Sequence, residues 1–502
     1  SVILRSLLRP KMMGNRSDWS MFELGTVLSA QSVGLLMAVC ILVAAIFAPS
    51  PATLTTAQQR VLAVFSLALV LWLTKPVPYT VSSLLSVTLL FSLQTVDSFA
   101  AAATGYASTL VFFLLSLLLL GNAITSVRLD RQLARRLLTA ESTPRHTLRS
   151  VAGSILGLAL VMPSAMARAV TFAPIIEQLR DEFGLDGGSG FDRAAFFLLG
   201  HVNPIASMAL MTGGGMALVT SEIVNTSVQS VTWVQWAVLM LPPTLLLYLL
   251  AAVSAIVVSG VDSTTTVDDH HRFQADTDGG IQSGDRLITD TDDTTTLTRE
   301  QRIVCVVMSG AIISWIVGSF VGIPTVLPAA AAVAVLAAPG IDIITADDVA
   351  EVSWGVIFLI GAMLSILDVM ESTGTIDVII ETLTSTVAFG AFAHWQVIAV
   401  LLLLSVVIRV PFSTGSAAIV VALPIVLEFA GRFDVNQLFL ALAVLLVVGS
   451  TTLLPFNTTS VLVSMDRGPL STREITFFGA LTMGLSLVVV VFSWLVYWPL
   501  VV

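Results

Sequence analysis

The chain has 502 residues, of which 56% are hydrophobic and only 11% charged. A soluble protein of this length would carry about 25% charged residues, so an ordinary soluble domain is excluded. The formal net charge is −10, and Lys11 and Lys75 are the only lysines among 23 basic residues, a bias that fits an acidic, salt-adapted cytosol. Apolar runs such as 33–48, 61–73 and 438–448 recur along the whole chain and lack the alternation of a membrane barrel, so the spanning elements are helices. Cys40 and Cys305 both lie inside apolar runs and read as small hydrophobes, with no disulfide framework and no metal spacing.

Residues 1–30 form a polar, basic segment, and the first span covers about 33–48. The second, 59–74, ends at Lys75-Pro76-Val77-Pro78, a two-proline corner that stops a helix. The third and fourth cover about 79–95 and 106–125. Arg128, Arg131, Arg135 and Arg136 follow along one side of a helix, the pattern of a solvated, headgroup-facing surface helix. Residues 148–180 are too long for one span at ~1.5 Å per residue across ~30 Å. They are broken at Pro163-Ser164 and carry charges at both ends, which fits a re-entrant hairpin. The fifth span starts near Ala194, with interruptions expected at Asn203-Pro204 and at Thr212–Gly215, and ends near Glu222; the sixth covers 233–259.

Residues 261–302 hold ten acids and many threonines, and cannot bury enough apolar surface to fold. This linker divides a first membrane half, 31–260, from a second, 303–502. The second half repeats the order: spans at about 303–320, 325–338 and 354–370, an amphipathic stretch at 373–388, and a broken segment at 395–430 interrupted at 411–416. A tenth span starts near Asn436 and breaks at Leu454-Pro455-Phe456-Asn457-Thr458-Thr459, and an eleventh covers about 475–500. With a cytoplasmic N-terminus in the plasma membrane, nearly all arginines between spans fall inside, and only Arg60 and Arg432 fall outside. That count works only if 148–180 and 395–430 each return to their own side. The expected fold is an all-α polytopic membrane protein with about 11 transmembrane helices plus two re-entrant helical hairpins in inverted-topology repeats, a secondary-transporter plan.

Four breaks carry the polar chemistry, at 164–168, 203–215, 413–416 and 457–460. Irregular backbone at membrane depth is tolerated only where it faces protein or a water-filled cavity. Half-helix N-termini suit an anion; half-helix C-termini and unwound carbonyls suit a small cation. Ser164, Thr212, Ser413, Thr414, Ser416, Asn457, Thr458 and Thr459 fit either role, or simply cap broken helices. Arg168 follows Ser164 by four residues and Arg409 precedes Thr414 by five. A buried guanidinium holds an oxyanion in its fork or neutralises helix-end carbonyls. His201, beside the fifth-span break, is either a proton relay or an interhelical hydrogen-bonder, and Asp368 reads as interfacial. No zinc spacing, nucleotide loop or nucleophile triad appears, so the chain reads as no enzyme, without organic cofactor and without nucleic acid.

Several motifs together resemble the divalent anion:sodium symporter (DASS) family over roughly 60–500. Trp72-Leu73-Thr74-Lys75-Pro76-Val77-Pro78 resembles its W-x-T-E-x-I-P corner, and Ser126-Val127-Arg128-Leu129-Asp130-Arg131 its K-x-G-L-x-x-R segment. Pro163-Ser164-Ala165-Met166-Ala167-Arg168 looks like the P-S-N-T-A-R form of the first hairpin tip. Leu454–Thr459 is similar to the L-P-x-x-T-P-P-N break. The resemblance implies a homodimer, elevator-like alternating access, and a di- or tricarboxylate or sulfate held between the tips. Carried over by position, the substrate set is Ser164, Ala165, Met166 and Arg168 with Thr414, Gly415, Ser416, Thr458 and Thr459. The implied Na⁺ set is Ser164, Thr212, Gly213, Thr414 and Asn457. Ala165 and Gly415 stand where the family has asparagine, and Met166 where it has threonine. The expected function is a secondary anion transporter coupled to Na⁺ or H⁺. The alternatives are a cation/proton antiporter or arsenite-type exporter of the same superfamily, a channel, or a membrane sensor.

Overall fold

The computed structural model describes residues 19–50, 54–137, 143–261, 297–386 and 392–502, and every regular element among them is a helix. Residues 1–18 and the acidic core of the linker, 262–296, lie outside the described residues. Seven helices are long and apolar enough to cross a membrane by length and composition; five further apolar helices are shorter. This is a multi-pass helical membrane protein.

The described residues form two compact units. One comprises residues up to Thr104 together with 364–378. Its helices Trp19–Phe47 and Thr56–Thr74 pack through Ala38, Leu67 and Leu71. Thr55 and Gln58 close a capping box at the start of the second of these helices. Its end is set at Lys75, which takes the left-handed conformation (φ 48°) just before Pro76, the stop expected from the two-proline corner. Asp368 belongs to this unit and accepts from Thr104 Oγ1 at 2.8 Å.

The other unit comprises 105–363 and 379–502. Its centre is Gln437–Ser450, in which every residue from Leu438 onward is buried. The sequence there is apolar on all sides, so no face can be left to solvent or packed on one neighbour only. Two interrupted helix pairs belong to the same unit. Pro144–Ala159 and Ala165–Glu182 have 16 and 18 residues, and so do His394–Arg409 and Gly415–Arg432. At ~1.5 Å per residue an arm spans roughly 24–27 Å, whereas an unbroken pair would run to nearly twice the ~30 Å apolar thickness. The arms of each pair pack on one another. Both breaks have one local cause: a proline (Pro163, Pro411) ends the first arm, and a hydroxyl caps the second. Ser164 Oγ accepts from Ala167 N at 3.2 Å, and Thr414 Oγ1 from Ala417 N at 3.4 Å.

The fifth span differs from expectation. Asn203-Pro204 does not interrupt it. The helix Gly190–Phe197 passes through a π-turn, Leu198–Val202, directly into Asn203–Ala206. Pro204 has no N–H and would crowd the carbonyl four residues back; the wider π-turn removes that conflict without ending the helix. The real gap runs from 207 to 214, after which Gly215–Ser227 begins. The tenth span breaks as expected: Gln437–Ser450 gives way to extended chain, a short 3₁₀ turn at Pro455–Asn457, and Thr459–Arg467.

Candidate functional site

Four half-helix N-termini open on one cavity of about 660 Å³, all within the second unit: those beginning at Ala165, Gly215, Gly415 and Thr459. Three are capped by hydroxyls. Besides Ser164 and Thr414, Thr458 Oγ1 accepts from Val461 N at 3.2 Å. Each cap occupies the third N–H of its helix and leaves the first two. Among the described residues, the N–H groups of Ala165, Met166, Gly415, Ser416, Thr459 and Ser460 meet no partner. Gly214 offers no side-chain cap, so the helix from Gly215 adds further open donors. Helix N-termini carry roughly half a positive charge each, and their unpaired N–H groups point outward along the axis. Converging on one cavity, they favour negative charge.

Of the expected substrate set, Ser164, Ala165, Met166, Thr414, Gly415, Ser416, Thr458 and Thr459 all line this cavity. Arg168 does not. It is fully buried (0% exposed) beneath the first tip. Its Nε donates to Asn203 Oδ1 at 2.7 Å, Nη1 to Met162 O, and Nη2 to Ser207 Oγ at 2.6 Å and to Asn203 O at 3.2 Å. Asn203 returns the tie through Nδ2 to Ala165 O at 2.7 Å. The guanidinium therefore holds the unwound carbonyls of the tip and of the facing segment, the second of the two roles open to it from sequence. Four of its five donors are engaged by protein, which leaves no open fork for an oxyanion.

Arg409 does the same at the second tip. It donates to Phe412 O at 2.7 Å, Asn457 O at 2.8 Å and Val448 O at 3.2 Å. Asn457 Nδ2 reaches Val410 O and Phe412 O at 2.8 and 2.9 Å, and its Oδ1 accepts from Leu454 N at 2.8 Å. Each tip is thus pinned to a facing segment by an Arg–Asn pair. The asparagines at 203 and 457 come from the facing segments, not from the tips.

The expected Na⁺ set divides. Ser164, Thr414 and Asn457 line the cavity, while Thr212 and Gly213 do not. Thr212 Oγ1 accepts from Trp233 Nε1 at 3.3 Å. A Cβ on Gly213 would stand 2.6 Å from Ser207 O, so this position is closed against the neighbouring turn. His201 lies away from the cavity between Phe197 and Phe478, with Nε2 3.2 Å from Ile475 O. This is the interhelical hydrogen bond open to it from sequence.

Other residues join the site without having been singled out for it. Arg128 and Arg131, expected to face headgroups, are at the cavity edge with Asp130. Arg128 takes φ 57°, a left-handed conformation that costs a non-glycine residue roughly 1 kcal/mol. Its position matches the glycine of the resembled segment, a clue to the turn though not to the cavity. Met216 and Ser207 also line the space. Their link to the tips is a tertiary contact that no local spacing announces.

Broken helices of a multi-pass membrane protein, meeting N-terminus first around a hydroxyl-lined cavity, are an arrangement that recurs at the solute sites of secondary transporters. Comparison with known proteins agrees. The family described as the sodium:sulfate symporter transmembrane region matches residues 29–502, nearly the whole chain, and the protein belongs to that family, one of transporters rather than enzymes. The chain is also similar to a protein of Cupriavidus necator called simply "Membrane protein", at 28% identity over 227 residues. The match takes in 42% of this chain and 44% of that relative's length, so the chain spans less than half of the relative it matches.

Proposed function

We propose that the protein is a secondary active transporter of small anions, with the anion held between the two tips. The convergence of four half-helix N-termini, with unpaired N–H groups, on one cavity carries this reading. The same positive ends disfavour a cation as cargo, which sets the antiporter alternative behind the anion reading. Family membership supports sulfate, and the resemblance of the tips supports di- and tricarboxylates, as the classes to try first.

The finer reading follows the inverted-repeat plan. The halves 31–260 and 303–502 carry one re-entrant hairpin each, the hairpin-bearing part moves as an elevator, and uptake is coupled to Na⁺ or H⁺. The protein acts as a homodimer in the plasma membrane with its N-terminus in the cytoplasm. The equal arm lengths of the two hairpins and the matching Arg–Asn ties support a repeat. Ser164, Thr414 and Asn457 at the cavity wall supply oxygens near which a coupling Na⁺ would sit.

A thermal-shift screen tests the reading. Purified protein is heated with sulfate, phosphate, succinate or citrate, each with Na⁺ or with choline. A ligand at a hundred times its Kd adds about 2.7 kcal/mol of stability and raises the melting midpoint. A rise with at least one anion is expected, larger in Na⁺ if sodium couples. No rise with any organic or inorganic anion contradicts anion binding.

A further inference from the structure

The two half-helix N-termini at Gly215 and Gly415 meet through a reciprocal exchange. A Cβ on Gly215 would stand 2.8 Å from Ser416 Oγ, and a Cβ on Gly415 would collide with Met216 Sδ. Each glycine therefore makes room for the residue that follows the other glycine. The consequence for the cavity is chemical. The place at the second tip where a polar side chain on residue 415 would stand is filled by a thioether. At the first tip, Ala165 brings only a methyl group, and Met166 lies 50% exposed at the cavity wall. Leu114, Leu117, Val170 and Val356 add aliphatic lining.

The cationic side chains nearest the tips are withdrawn. Arg168 and Arg409 are 0% and 1% exposed and bonded to protein. The side-chain cations that line the cavity among the described residues are Arg128 and Arg131 at its edge. Positive potential at the tips therefore comes from backbone ends, beside a surface that gains from burying carbon. A volume of about 660 Å³ also falls in the ~300–1,000 Å³ range of pockets for small organic ligands. A compact, strongly hydrated oxyanion would leave the apolar side unused and would lose hydration there without replacement.

We propose that Met216, seated over Gly415, and Met166 form an apolar half-site, so that the protein prefers an organic carboxylate with an apolar body over sulfate or a short dicarboxylate. The carboxylate meets the half-helix N-termini, and the hydrocarbon part packs on the two thioethers, whose flexibility and polarisability suit chains of varied shape. This inference rests on the anion-transporter reading and narrows its substrate.

The test is binding to the purified full chain, with hexanoate, succinate and sulfate as probes. Hexanoate is expected to bind more tightly than either of the others. Met166→Ser and Met216→Ser each remove an apolar contact and are expected to lower the affinity for hexanoate relative to succinate and sulfate about tenfold. Met166 is half exposed, so Met166→Ser keeps the test valid if Met216→Ser fails to fold. Tighter binding of sulfate or succinate, or unchanged hexanoate affinity in the folded variants, overturns the apolar half-site and leaves the anion reading intact. Failure of all three probes to bind the wild-type chain overturns the half-site, and overturns the anion reading as well if phosphate and citrate also fail to bind.

Discussion

The two tips solve one problem with the same pair of residue types placed oppositely. At the first, the arginine lies after the gap, on the helix Ala165–Glu182, and reaches back to Met162 O. At the second it lies before the gap, as the last residue of His394–Arg409, and reaches forward to Phe412 O. The first guanidinium also takes side-chain oxygens, Asn203 Oδ1 and Ser207 Oγ; the second takes backbone carbonyls alone. In an apolar medium, unwound carbonyls must be satisfied from within the protein. Five donors on one planar group can do so from either side of a gap. A buried arginine beside a membrane break is therefore explained by the break itself.

This comparison can be broken most severely at the arginines. Arg168→Ala leaves Asn203 Oδ1, Met162 O and Ser207 Oγ without their guanidinium donor, and about 3 kcal/mol or more of stability is expected to go with the four bonds. Arg409→Ala, with three bonds to carbonyls, is expected to cost less. Melting midpoints of the two variants check the order. If Arg168→Ala keeps the wild-type midpoint yet loses only anion affinity, Arg168 touches the substrate after all.

The next largest effect is at Gly415. Gly415→Ala places a methyl group on Met216 Sδ and is expected to cost roughly 1–3 kcal/mol. Met216→Ala in the same chain should recover most of that cost, and a double-mutant cycle reads the coupling. The opposite change at the first tip, Ala165→Gly, should show no coupling to Met216.

The caps are expected to matter less and alike. Ser164→Ala and Thr414→Ala each remove one N-cap, at about 1 kcal/mol. Unequal losses would show that the two tips are not matched in this respect. The smallest expected effect is a gain: Arg128→Gly relieves the left-handed strain by up to about 1 kcal/mol. It also removes a charge at the cavity edge, so anion association should slow, most visibly at low salt.

Much of the scaffold was legible in the residues. Proline followed by a hydroxyl marks both tips, because proline ends one arm and serine or threonine caps the next. The break at Asn457-Thr458 shows itself the same way. The reading went astray at Asn203-Pro204, where the same local signal met a π-turn that absorbs a proline without a gap. Spacing also could not tell which way Arg168 points, since Asn203 and Ser207 are brought to it only by packing. Arg128 and Arg131 are exposed, as the amphipathic pattern implies; that pattern reports a polar face and not that the face adjoins the cavity. The seating of Met216 on Gly415 joins residues 199 apart (415 − 216) and leaves no trace in either local sequence.

If an anion crosses the membrane by way of this cavity, the purified protein alone must carry it into liposomes. Purified protein is reconstituted, and labelled sulfate, succinate and hexanoate are supplied outside under an inward Na⁺ or H⁺ gradient. The account predicts saturable uptake of at least one of them, driven by one of the gradients and competed by the unlabelled anion. Flux of every anion that stays linear with concentration, or no flux above protein-free liposomes under either gradient, would contradict it.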